Sequence, residues 1–343
     1  MSTSGTWRVS VAALRTPAMA LVILAVGLAL AEMAARRPGM REVLGTPSIG
    51  SPSRGFELQL NGLEQFASRL PVDCIVVGNS TAQMGVDPAV LDGRYLSLTG
   101  RDLHCFNFGV AGMTAGAAGA VATILVQRYH PRLLLYVVSA RDVGESVDGP
   151  LLESTPWVRY QLGSFSSEGW LVEHSAAFRY YLLYRQWLEP SAWRVAASEA
   201  GTTDAGFLRA RTRLPLAPEV WAHAVGFYSE IAREPPSPSE LAGYARVLSL
   251  SGPQTRVIVI EAPAHERLRR WARRSTRFYG EAMRRMRDEA RRRRVPFWRV
   301  PTWRVVPADG WSDFVHLDGA GATSFSEWLA TRLATRADGA TRN

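Results

Sequence analysis

Two short stretches hold residues that fit one reaction. Asp73-Cys74-Ile75-Val76-Val77, a short apolar strand, runs straight into Gly78-Asn79-Ser80-Thr81, and Asp313-Phe314-Val315-His316 lies more than two hundred residues later. A serine hydroxyl is a poor nucleophile until a base takes its proton, which histidine does near neutral pH. A carboxylate on the other ring nitrogen fixes the tautomer and supports the imidazolium that forms. With an acid and a histidine three residues apart, one loop can present both. Ser80, His316 and Asp313 are therefore candidate nucleophile, base and orienting acid of a nucleophilic hydrolase or transferase. Taken singly they have plainer readings. A serine in a turn after a strand caps a helix, and Asp318 is placed to cap the last helix, which starts near Gly319.

Bringing these residues together requires a sheet. Apolar runs at 73–77, 103–108, 133–138 and 256–260, with a weaker one at 295–300, read as five strands. Helices fall between them, among them 56–70 and 112–129, which implies a parallel, doubly wound, three-layer α/β sheet. Ligands bind such sheets beyond the C-terminal strand ends. Ser80 follows the first strand, Gly109 the second, Asp142 the third, and the Asp313/His316 pair follows the fifth through a short loop. The spacing breaks between 144 and about 238, which reads as a helical insertion after the third strand, lying over the C-terminal edge of the sheet. Its aromatic run, Phe178-Arg179-Tyr180-Tyr181-Leu182-Leu183-Tyr184, reads first as packing.

Composition narrows the classes. The 343 residues, 47% hydrophobic and 10% aromatic, suffice for a large core and argue against disorder. A formal charge of +9 invites a nucleic-acid partner, but every basic residue is arginine and no zinc-finger spacing or RNA-binding aromatic signature accompanies the charge, so no nucleic acid is expected. Residues 266–294 carry an arginine-rich run whose Leu268, Trp271, Ser275, Phe278, Ala282, Met286 and Ala290 recur at helical spacing, a solvated amphipathic helix packed on the sheet. Cys74 and Cys105 are too few for a disulfide framework or a zinc site. They read as small buried hydrophobes, or as a single disulfide if the domain is exported. The histidines at 104, 130, 174, 223, 265 and 316 show no paired ligand spacing, and no metal is expected. Gly109-Val110-Ala111-Gly112 does not match a phosphate-binding glycine pattern.

Arg8 and Arg15 precede an apolar run over 17–31, closed by Glu32, Arg36 and Arg37. Segment 1–37 reads either as an uncleaved membrane anchor or, because Ala29-Leu30-Ala31 fits a small-x-small site, as a cleaved signal peptide. Either places the folded part outside the cytoplasm. Residues 38–55, rich in Pro, Gly and Ser, read as a linker; 56–337 form the α/β domain with the insertion at about 144–238, and 338–343 a tail.

In joint order, the strand leading into Gly78-Asn79-Ser80, the glycine ending Phe106-Asn107-Phe108-Gly109 and Asp313-Phe314-Val315-His316 before the last helix resemble the SGNH (GDSL-like) hydrolase superfamily. The resemblance runs from 73 to the C-terminal helix, with the insertion outside it. It implies a flavodoxin-like fold, Ser80 as nucleophile, His316 as base and Asp313 as its orienter, with the amides of Ser80 and Gly109 binding the oxyanion. The family's third block, Gly-x-Asn-Asp, offers a side-chain oxyanion donor. Here Ser139-Ala140-Arg141-Asp142 puts arginine in the asparagine place. Arg141 or Asn79 then substitutes, or activity on simple esters is low. Membrane-anchored members with a lapsed third block look like enzymes that acylate or deacylate cell-envelope polymers. That likeness implies a serine O-acyl esterase or O-acyltransferase acting on a glycan or acylated polymer, with a membrane-bound acyl-donor protein as a partner and no cofactor. The rival reading is a non-catalytic glycan-binding or assembly protein of the envelope on the same fold.

Overall fold

The computed structural model describes residues 11–37, 39–144, 152–187, 202–210, 217–231 and 234–340. Five strands, β1 (Cys74–Gly78), β2 (Cys105–Gly109), β3 (Leu133–Val138), β4 (Arg256–Glu261) and β5 (Phe297–Trp298), form one sheet in the order β2-β1-β3-β4-β5. Every pairing is parallel, so the expected doubly wound sheet is the one observed. The strands are buried on both faces, which is why they read as unbroken apolar runs rather than alternating ones. Successive residues point to opposite faces. Ile75, Val77, Phe106, Phe108, Leu134 and Tyr136 pack under one helical layer, and Cys74, Val76, Cys105, Leu135 and Val137 under the other. The first layer holds helices Arg54–Ala67, Ala115–Tyr129, Pro238–Ser249 and Arg277–Arg292; the second holds Pro88–Thr99 and Gly319–Ala340.

Three local outcomes differ from the sequence reading, and one, the cysteine pair, decides an alternative it left open. β5 shrinks to two residues because Pro296 and Pro301 bracket it and have no N–H to give the ladder. Cys74 and Cys105 are register partners on β1 and β2 and form a disulfide, fully buried, instead of packing as separate thiols. The arginine-rich run is two helices, Glu266–Ser275 and Arg277–Arg292, divided at Thr276, whose side chain accepts from Tyr279 N. Its apolar stripe is buried as expected through Leu268, Phe278, Ala282, Met286 and Ala290, while Ser275 is exposed. The stretch 47–51 inside the linker segment is laid down on the domain: Ser48 Oγ, Ile49 N and Ser51 N all donate to one oxygen of the buried Glu57.

Helix Val11–Ala35 contains an 18-residue window, Ala18–Ala35, of mean hydropathy 2.3, none of it buried in the protein. By length and composition it can cross a membrane. Within the insertion, helix Ala176–Trp187 packs against this N-terminal helix, and its aromatics are absent from the wall of the cavity at the sheet's C-terminal edge. Among the described residues of the insertion, helix Pro218–Ile231 lines that cavity, while 205–208 bond beside β2, where Asn107 N donates to Ala205 O and Leu208 N to Gln83 O.

Candidate active site

β1 and β2 end in a glycine pair, Gly78 opposite Gly109. A Cβ on Gly78 would strike the Val137 carbonyl and Ala82, and one on Gly109 would strike the Gln83 backbone. Both glycines let the helix Ser80–Gln83 sit directly on the strand ends. Asn79 starts that helix: its Oδ1 accepts from Thr81 N at 2.7 Å and from Thr81 Oγ1 at 2.8 Å. Its Nδ2 donates to Asp142 and to Ser139 Oγ, which ties the turn after β1 to the turn after β3. From the other side Asn107 clamps the helix end. Its Nδ2 donates to the carbonyls of Ala82 at 2.8 Å and Val86 at 2.7 Å. Ser80 is thereby the first residue of a helix pinned from both flanks.

The C-terminal loop completes the arrangement. A bridge between Trp311 and Leu317 and the bond from Ser312 N to His316 O (3.0 Å) close it into a tight turn. Asp313 Oδ1 accepts from Val315 N (2.6 Å) and His316 N (2.7 Å), while Oδ2 lies 2.8 Å from His316 Nδ1. Burial works against the Asp313 charge, but the bonds from the His316 side chain and the loop amides outweigh it and hold the carboxyl below its ordinary range. An ionised Asp313 can only accept, so in the neutral imidazole Nδ1 carries the proton and Nε2 presents its lone pair. That lone pair faces Ser80 Oγ at 2.8 Å.

These groups open into a cavity of about 500 Å³. Ser139, Arg141, Phe314 and Val315 line it. Helix Pro218–Ile231 supplies Glu219, Val220, His223, Ala224 and Tyr228 from a single stripe. Tyr228 is buried, which pushes its hydroxyl up to about 12 against the opposing charge of Arg141. His265 both caps a helix and packs beside the C-terminal loop. Its Nδ1 accepts from Arg267 N, and its ring lies edge-on to Trp311 and Phe314.

Ser80, Asp313, His316 and Arg141 thus meet in one cavity. The N–H groups of Gly109 and Asn79, expected to face an oxyanion, are engaged elsewhere. The Gly109 N–H is spent on Asn107 Oδ1 at 2.9 Å and the residue lies outside the cavity wall, so its glycine character serves close packing. Both Asn79 amide hydrogens are engaged by Asp142 and Ser139, so that side chain positions rather than donates. The Ser80 N–H, by contrast, has no partner among the described residues. Asn107 was not singled out as a site residue from sequence, whereas Asp142 was placed at the sheet edge without its holding role. The signal for Asn107 was there: it is a polar residue, fully buried, in the middle of Cys105-Phe106-Asn107-Phe108.

No family model matches the chain, and no curated protein matches it. Among solved structures, 19 chains match. One is a carbohydrate acetylesterase family member from Sinorhizobium meliloti, 11% identical over 77% of this chain and 98% of that one, with a TM-score of 0.35. Another is an inhibitor-bound aryl esterase of M. smegmatis, 14% identical over 77% and 99%, with a TM-score of 0.36. A third is a lipase/acylhydrolase from Enterococcus faecalis, 12% identical over 77% and 97%, with a TM-score of 0.35. At such identities and TM-scores the likeness carries no functional argument, and the reaction is read from the site.

Proposed function

We propose that this chain is an SGNH-type serine ester hydrolase or O-acyltransferase. We place it at the membrane by its N-terminal helix, with its domain outside the cytoplasm, acting on an acylated glycan of the cell envelope. One observation carries the chemistry: Ser80 Oγ, His316 and Asp313 form a continuous chain of two 2.8 Å contacts at the cavity floor. In this reading Ser80 Oγ attacks the ester carbonyl while His316 Nε2 takes its proton, and Asp313 steadies the imidazolium. The Ser80 N–H, with Arg141 in the same cavity wall, receives the negative charge that develops on the carbonyl oxygen. His316 then returns the proton to the leaving alcohol, and Ser80 is left as an acyl ester. A hydroxyl activated by the same histidine, from water or from a sugar, takes the acyl group and frees the serine. Glu219 and His223 on the insertion helix give the cavity polar groups suited to a sugar. The buried Cys74–Cys105 disulfide supports an oxidising compartment.

A second reading, a glycan-binding module on the same fold, is favoured by one observation: two of the expected oxyanion donors, Gly109 N–H and Asn79 Nδ2, are already engaged. Steady-state turnover separates the two. With an O-acetylated oligosaccharide and p-nitrophenyl acetate as donors, the enzyme reading expects acyl release that falls at least about 10³-fold in Ser80→Ala. A binding module would hold the oligosaccharide equally well in both proteins and release nothing. Adding an unacylated acceptor oligosaccharide then divides hydrolysis from transfer by the product formed.

A further inference from the structure

Helix Val11–Ala35 is not tethered loosely to the domain. Glu32, in its last turns, sits at the start of helix Ala176–Trp187. There its carboxylate accepts from Ser175 Oγ (2.8 Å), Ala176 N (2.9 Å) and Ala177 N (3.1 Å). Arg36, one turn on, bonds Glu32 through Nε at 2.7 Å and donates Nη2 to the carbonyl of His174 at 2.9 Å, where helix Ser167–His174 ends. The carboxylate meets the positive end of one helix and the guanidinium the negative end of another. The apolar segment therefore leaves the domain at a fixed point and direction.

At that joint lies a second cavity, of about 610 Å³. Four arginines, Arg36, Arg37, Arg41 and Arg179, line it, against one acid, Glu173. Three of the four are preset by carboxylates: Glu64 holds Arg41 at 3.5 Å and Arg179 at 3.3 Å, and Glu32 holds Arg36. Glu173 is itself committed to Arg128 at 2.9 Å and to Trp157 Nε1 at 2.8 Å. The Arg37 guanidinium makes no hydrogen bond or ion pair among the described residues. The carboxylates account for Arg36, Arg41 and Arg179, and leave the Arg37 guanidinium beside them facing an open space suited to an anion with several acceptor oxygens. The depth is also specific. The apolar window ends at Ala35, so Arg36 and Arg37 emerge where lipid phosphates lie. On the neighbouring helices Trp170 and Tyr181 are 46% and 55% exposed, the aromatic types that favour the membrane–water boundary.

We propose that this cavity binds the phosphate headgroup of an anionic phospholipid and so seats the domain on the bilayer at the end of its anchor. The site rests on the membrane reading of the N-terminal helix and is independent of the chemistry at Ser80. The phosphodiester oxygens take the arginine forks, Arg37 supplies the uncommitted charge, and the acyl chains continue along the bare apolar flank of the helix.

The test uses the full chain in a neutral detergent, titrated with dioctanoyl phosphatidylglycerol, dioctanoylglycerol and inorganic phosphate. Saturable binding of the phosphatidylglycerol alone is expected, weakened about fivefold in Arg37→Gln and unchanged in Arg292→Gln, which is exposed and not part of the cavity wall. No saturable binding, or equal binding in Arg37→Gln, overturns the site. Inorganic phosphate binding as tightly as the lipid overturns the lipid assignment in favour of a soluble phosphate. Flotation with neutral phosphatidylcholine vesicles reads the anchor separately. A chain that floats with them yet does not bind phosphatidylglycerol keeps its anchor and loses this site.

Discussion

At the scale of single residues, the proposed mechanism divides the site into groups that would react and groups that hold them. Ser80, His316 and Asp313 were legible from sequence because residue type and order along the chain define a nucleophile, a base and an acid. The donors were not, since nothing in a sequence shows which amide is already spent. Gly109 gives its N–H to Asn107, and Asn79 gives its amide to Asp142. Asp142 shows the cost of this holding role. It accepts from Ser139 N at 3.0 Å, Ser139 Oγ at 2.9 Å and Asn79, yet burial pushes its carboxyl up to about 6. The folded protein then keeps a proton on Asp142 up to about pH 6, whereas the unfolded chain releases it near the ordinary 3.8. Between those values the native state holds more protons, so this group's contribution to stability falls as pH rises through the window. Urea melts from pH 4 to pH 7 should therefore show wild type losing up to about 3 kcal/mol relative to Asp142→Asn. Parallel pH profiles for the two proteins would contradict the assignment.

At the scale of elements, the loop bearing the acid and the base is steadied by the insertion. Phe314, between Asp313 and His316, is 1% exposed and packs with Ala224, Tyr228 and Leu268 in a small core of its own. Trp221 lies edge-on to Phe314 at 5.0 Å, and Arg267 covers the Trp221 ring at 4.2 Å. Removing that ring should let the loop shift, and displacement of a reacting group by about an ångström costs on the order of 10²-fold in rate. Trp221→Ala is expected to lower kcat by about 10–100-fold with KM nearly unchanged, and Trp221→Phe to recover most of it. A loss confined to KM would mean that the helix serves only binding. An insertion over the sheet edge was legible from the break in strand spacing, but its working part was not. The aromatic run at 178–184, which reads as packing, lies outside the cavity wall, whereas helix Pro218–Ile231 lines it. The usable signal was the stripe Glu219, Val220, His223, Ala224 and Tyr228, which recurs on one face of a 3.6-residue period.

At the scale of the whole molecule, the parallel sheet was readable because strands buried on both faces leave long apolar runs. Its fifth strand was readable only in part, since two prolines cut the ladder short. The N-terminal helix was evident from hydropathy, but its junction was not. Glu32 reads in sequence as a charge closing an apolar run, yet it caps a helix that begins 144 residues later. Tertiary partners at such separations leave no local pattern. The disulfide was an open alternative in sequence, because pairing depends on the register that puts Cys74 beside Cys105. All three scales converge on one claim, that the sheet edge presents an activated serine. The most direct measurement is the intact mass of the purified chain after a serine-directed fluorophosphonate, with the adduct located by peptide mapping. A single adduct on the Ser80 peptide, lost in Ser80→Ala and strongly slowed in His316→Ala, is the result predicted. An adduct that persists in Ser80→Ala, or an unmodified wild-type chain, would contradict it.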